Sequence, residues 1–324
     1  MSTTHVDATA PAARNTGIKR LTQPWQDPTV AFQRALAMIL LLCQGGITVT
    51  GSLVRVTGSG LGCDTWPLCH EGSLVPVAGA APWIHQAIEF GNRLLAFVVA
   101  AASIAVLVAV VRAGRRKEIK VLAWISFLGV VLQAVIGGIS VLLDLRWWSV
   151  AVHFLPSMVL VWVAAMLYMR IAETDDAAPT TRYPESIRRF VVAAAVALCF
   201  VLVTGTMVTG SGPHSGDSGV GMEGRLALDT EMLAYVHAAC LYVYLAFTLI
   251  AVYLLRKHQA PKDAFNTALV LVAMILVQWT IGVIQFRMGV PRWTIPVHIA
   301  MSSVVVAFSA FLYSHGKRRL PLLV

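Results

Sequence analysis

The sequence predicts an all-α polytopic membrane protein of eight transmembrane helices, arranged as two pseudo-symmetric four-helix bundles. Three observations carry that expectation. Of 324 residues, 57% are hydrophobic and only 13% are charged, with a mean hydropathy of +0.73. That is too little charge to cover a soluble domain of this size. The apolar residues gather into eight long runs, and the second half of the chain repeats the first.

The runs cover residues 31–53, 85–111, 118–142, 148–169, 189–210, 230–255, 264–286 and 293–314. Each is long enough to cross about 30 Å of hydrocarbon at about 1.5 Å per residue. Several contain Gly or Thr, which membrane helices tolerate. Before them, residues 1–30 are polar and contain Pro11, Pro24 and Pro28, without the charged, apolar and small-residue order of a signal peptide. They are expected to form a cytoplasmic tail. Residues 31–170 then make a first four-helix unit. Residues 171–187, with Glu173, Asp175, Asp176, Pro179 and Pro184, make a polar cytoplasmic linker. Residues 188–315 make the second unit, and 316–324 a cytoplasmic tail.

Charge sets the orientation. Of the 25 Lys and Arg, only Arg55, Arg93, Arg146, Arg225, Arg287 and Arg292 fall on the outer side of this arrangement. The positive-inside bias places both termini in the cytoplasm, and a prokaryotic cell membrane is the expected location. The net charge of +9 therefore reflects topology and contact with anionic membrane lipid, and points to no nucleic acid. An even number of spans gives the two units the same orientation, related by an axis along the membrane normal.

The repeat is specific. At an offset of 145, Gln133 matches Gln278, Ile136–Gly137 matches Ile281–Gly282, Trp148 matches Trp293, and His153 matches His298. Asn92 falls opposite His237. The stretch Val56-Thr57-Gly58-Ser59-Gly60 returns at an offset of 152 in Val208-Thr209-Gly210-Ser211-Gly212, so the first half carries seven extra residues in the loop that follows.

Of nine histidines, His153, His237 and His298 lie inside spans, each a few residues from the outer end. Unpaired imidazoles are costly in hydrocarbon, and paired ones commonly hold a metal or haem. His237 and His298 can clasp one haem iron from both sides. In the first unit His153 has Asn92 as its opposite, so that site should be open on one face, with His85 two turns away as an alternative ligand. Glu89 and Arg93 share the helix with Asn92. Glu89 is a candidate acid or base, with a salt bridge to Arg93 as the plainer alternative. Arg93 is a candidate partner for a haem propionate. His315, at the inner end of the last span, is expected to face headgroups. Cys63 and Cys69 share the first outer loop, where an oxidising compartment favours a disulfide. Cys43, Cys199 and Cys240 fall in spans as small apolar residues.

Thr57-Gly58-Ser59-Gly60-Leu61-Gly62-Cys63, Trp66-Pro67-Leu68-Cys69 and Ile88-Glu89-Phe90-Gly91-Asn92-Arg93 resemble the haem A synthase family. The resemblance covers nearly the whole chain. It implies oxidation of the C8 methyl of haem O, the substrate, to a formyl group, giving haem A for terminal oxidases. It implies a haem b cofactor whose iron is bound by His237 and His298. It also implies a substrate site with Glu89 as catalytic residue and His153 as ligand, beside the Cys63–Cys69 pair. Haem O synthase and terminal oxidase assembly are the implied partners. The family's Glu-x-x-His appears here as Glu89-x-x-Asn92. Two other readings stay open at this stage. One is a non-catalytic dihaem membrane cytochrome, and the other is a parallel-repeat transporter.

Overall fold

The computed structural model describes residues 25–214 and 224–319, together with Gln23. Most of the expected N-terminal tail, part of the outer loop at 211–229, and the last residues of the chain lie outside the described residues. Among the described residues, eight helices are long and apolar enough to cross a membrane. They are α1 (Val30–Val56), α2 (Trp83–Arg112), α3 (Lys117–Leu142), α4 (Trp147–Ile171), α5 (Glu185–Ser211), α6 (Thr230–Lys257), α7 (Lys262–Arg287) and α8 (Thr294–His315). The protein is a multi-pass membrane protein.

Local signals explain the boundaries. Thr29 and Asp229 cap α1 and α6 by accepting the amides of Phe32 and Met232. Pro82, Pro184 and Pro261 stand immediately before α2, α5 and α7, where a missing N–H costs no helical bond. Gly114 and Gly289 follow α2 and α7 with φ of 64° and 73°, the left-handed turn that ends a helix most cheaply with glycine.

The helices close two rings. In the first, α1 packs on α2 and α4, and α3 packs on α2 and α4, which leaves α2 diagonal to α4. In the second, α5 and α7 each pack on α6 and α8, which leaves α6 diagonal to α8, with α5–α6 the more extensive pairing. The rings meet where α4 packs on α8 and α5, and α1 on α8. Thr48 of α1 and Ser303 of α8 share a hydrogen bond of 3.0 Å across that seam. Small residues there let the backbones approach, as membrane helices require. Outward-facing Leu42, Phe97 and Phe200 are exposed apolar residues suited to lipid.

Two polar clusters tie the ends together. On one face, Arg55 of α1 donates to the carbonyls of Thr209 and His214. On the opposite face, the buried carboxylate of Glu173 takes Arg116 at 2.6 Å, Arg170 at 2.7 Å and Arg318 at 3.4 Å. Asp175 beside it takes Arg115 at 2.8 Å and Arg116 at 3.2 Å. A two-residue antiparallel ribbon, β1 (Thr180–Thr181) with β2 (Lys317–Arg318), joins the linker to the segment after α8. His315 does not face headgroups as its position at a helix end suggested. It is buried against Asp263 at 3.3 Å and Thr267 at 3.1 Å, because α7 packs on α8 there.

Candidate functional site

The sequence-predicted residues fall into two places on the same face of the molecule, one in each ring. In the second ring, His237 on α6 faces His298 on α8 across the diagonal. Their ring centroids are 6.4 Å apart with planes tilted by 54°. A metal–imidazole bond is about 2 Å and the ligating nitrogen lies about 1 Å from its ring centre, so two imidazoles on one metal stand about 6 Å apart. The spacing fits one metal between the rings.

The surroundings fix these rings. His237 Nδ1 lies 3.0 Å from the Val201 carbonyl, so Nδ1 carries the proton and donates, leaving the Nε2 lone pair for a ligand. Thr204 Oγ1 stands 3.2 Å from the same nitrogen. Gly205 and Gly282 give the rings room. A Cβ at Gly205 would lie 3.2 Å from His237 Cε1, and one at Gly282 3.3 Å from His298 Cε1. Among the described residues, His298 Nδ1 is buried without a protein partner. Gln278 reaches across to α8, donating to the His298 carbonyl at 3.1 Å and to Ser302 at 2.9 Å. Among the described residues no group of three or more His, Cys, Asp or Glu gathers as a metal site. Two facing imidazoles supply only two donors, which suits a metal that brings its other four in a macrocycle.

The first ring repeats half of this. His153 on α4 sits against Gly137, where a Cβ would lie 3.0 Å from His153 Cε1. Its Nδ1 is also buried without a protein partner. Asn92, at the place of His237, has its Oδ1 bonded by the Thr50 hydroxyl of α1 at 2.7 Å. Among the described residues, Gln133, unlike Gln278, has neither amide atom bonded. His85 lines a groove between α1, α2 and α8 with Leu53, Ile88, Arg292 and Trp293.

Glu89 and Arg93 take a task that spacing alone did not reveal. Glu89 is buried and pairs with Arg93 through Oε1 at 2.6 Å. Its Oε2 accepts the Cys63 amide at 2.7 Å. Arg93 in turn donates to the carbonyls of Cys63, Thr65 and Leu68, each at 3.0 Å. The pair therefore grips the loop that Cys63 and Cys69 close with a disulfide, both sulfurs buried. Gly62 lies against the α2 backbone at His85, and the Trp66 ring covers Gly138 of α3. Only glycine permits either approach.

His70, Asp64 and Gln86 complete this loop and were not singled out together by the sequence. Gln86 Nε2 donates to the carbonyls of Val77 and Ala81, and its Oε1 accepts the Val77 amide. Its orientation is thus fixed, and His70 Nε2, at 3.0 Å from Oε1, must be the donor. His70 Nδ1 faces Asp64 at 2.9 Å. The one sequence signal for this cluster is that His70 directly follows Cys69.

The fold defines a polytopic membrane protein with two imidazoles facing each other between α6 and α8, and His153 and Asn92 at the repeat-related places on α4 and α2. The chain belongs to the cytochrome oxidase assembly protein family COX15-CtaA, whose model matches residues 34–310. It is similar to proteins named heme A synthase. The one from Exiguobacterium sibiricum is 30% identical over 179 residues, 55% of this chain and 57% of that protein. The one from Lysinibacillus sphaericus is 32% identical over 169 residues, 50% and 53% of the two chains. The one from Listeria monocytogenes serotype 4a is 31% identical over 149 residues, 44% and 47%. The chain spans about half the length of the curated relatives it matches.

Proposed function

We propose that this protein is a haem A synthase, an oxidoreductase that converts the C8 methyl of haem O to a formyl group. The observation that carries the reading is the His237–His298 pair, spaced for one metal, beside a first-half site that keeps His153 but has Asn92 opposite. Family membership and the name heme A synthase among the relatives support the same reaction class. The reaction balances as a methyl group plus one water giving a formyl group, four protons and four electrons.

In this reading His237 and His298 hold haem b in the second four-helix unit, and the haem supplies electron transfer when bound. Val201 keeps His237 in the ligating tautomer. The first unit receives haem O, with His153 as its ligand. Glu89 and Arg93 hold the disulfide loop over this end of the helices, excluding water from the site's edge. Glu89 thus contributes a fixed carboxylate and a fixed loop. Arg93, already bonded to Glu89 and three carbonyls, serves the loop before any propionate.

The Lys and Arg distribution supports cytoplasmic termini, with both sites toward the outer face. Upstream the substrate comes from haem O synthase, and downstream the product serves terminal oxidase assembly. A non-catalytic dihaem cytochrome wants two fully ligated haems, and Asn92 cannot supply the fourth imidazole.

The test is haem extraction and turnover. Membranes carrying the protein and supplied with haem O should accumulate haem A, and the purified protein should yield haem B with haem O or A. Protein that binds only haem B and never forms haem A would overturn the proposal.

A further inference from the structure

The two sites differ most at one repeat-related position. At His237 a backbone carbonyl takes the Nδ1 proton and leaves a ligating lone pair. At Asn92 the partner is a hydroxyl instead: Thr50 Oγ1 lies 2.7 Å from Asn92 Oδ1 and 3.2 Å from the Ile47 carbonyl, and its single proton goes to the shorter contact. The oxygen of that amide is spoken for, and what Asn92 has left is its NH2 group. An amide NH2 is a donor only, with no lone pair for a metal. Its nitrogen also lies one covalent bond nearer the backbone than an imidazole Nε2. Asn92 is half-buried, and α2 and α4 stand diagonally with the ring interior between them.

We propose that Thr50 and Asn92 form a hydrogen-bond-donor site for a water-sized acceptor, a water or small anion, on the substrate porphyrin face opposite His153. Asn92 is the contacting residue and Thr50 the positioning residue that aims its amide. The inference rests on the reading that the first half receives haem O and deepens it. His153 would be the one protein ligand to the substrate iron, whereas His237 and His298 would both hold the second-half haem. A reactive site and an electron-carrying site then arise from one duplicated unit by a single change of side-chain chemistry.

The test uses the full chain, purified with its haems, and azide as the probe, read by absorbance and electron paramagnetic resonance. The wild-type protein should show one low-spin haem that ignores azide and one high-spin haem that binds it. His153→Leu should remove the azide-responsive signal and leave the low-spin signal. If it does not, the placement of the substrate haem is wrong and the inference fails with it. Asn92→His should convert the responsive haem to a low-spin form that azide no longer reaches. Asn92→Leu and Thr50→Val should keep that haem but weaken azide binding by about tenfold, the factor of one lost hydrogen bond. Two results would overturn the donor site while sparing the haem assignment. One is a wild-type first-half haem that is already low-spin and blind to azide. The other is unchanged azide affinity in both Asn92→Leu and Thr50→Val.

Discussion

Replacing Glu89 by Ala should loosen the disulfide loop without dismantling the bundle. Glu89 is 5% exposed and makes two kinds of contact, the Arg93 pair at 2.6 Å and the Cys63 amide at 2.7 Å. Alanine removes both and leaves a cation and an N–H without their acceptor. Removing one partner of a buried pair costs about 3–5 kcal/mol. The Arg93 side chain is 20% exposed, and it keeps three carbonyl acceptors, so the low end applies. A cost of about 3 kcal/mol raises the open fraction of the loop by roughly a hundredfold. The α2 helix itself should survive, since the repeat puts Ala234 at the matching place in α6. Hydrogen–deuterium exchange over residues 62–70 measures this directly. The Cys63 amide should exchange about a hundredfold faster in Glu89→Ala, with α5–α8 unchanged. Glu89→Gln, which keeps an oxygen for Cys63 but loses the charge, should fall between. Wild-type exchange at Cys63 in Glu89→Ala would refute the clamp, and so would global loss of protection.

Other outcomes follow from the same geometry. His237→Ala and His298→Ala should each abolish the low-spin haem signal, and an unchanged spectrum in both would remove the bis-imidazole assignment. Gly62→Ala puts a Cβ against the α2 backbone at His85 and should destabilise the loop by about 1–3 kcal/mol in proteolysis or thermal unfolding. Gly46→Ala, which meets open space, should be neutral in the same assay. Asp175 gives a pH signature. Burial works to raise its pKa, but Arg115 and Arg116 outweigh it and hold the carboxyl below its ordinary value. A depressed carboxylate stabilises the fold above the unfolded-state pKa of about 4 and loses that contribution as pH falls through the folded value. Melting temperatures of wild type and Asp175→Asn should therefore differ at pH 7 and down to about pH 4, and converge below it. A constant difference at all pH values would count against the ion pairs.

The sequence by itself determined the eight spans, their limits and the repeat. The run expected at 118–142 is helix Lys117–Leu142, and that at 230–255 is Thr230–Lys257. The reason is physical: a bilayer demands a minimum apolar length and internally bonded backbone, and both are properties of contiguous residues. The repeat also matched His298 with His153 and set His237 opposite Asn92, because duplication carries depth from one unit to the other. Tertiary structure alone decided what each polar side chain touches. Glu89 and Arg93 sit at helical spacing, so their pairing was foreseeable, but their grip on Cys63, Thr65 and Leu68 depends on a loop folding back over α2. Thr50 meets Asn92 only because α1 packs on α2, and His315 is buried because α7 brings Asp263 and Thr267 against it. These contacts join residues far apart in the chain. No local pattern encodes them, since each partner would read the same as an ordinary polar residue near a helix end.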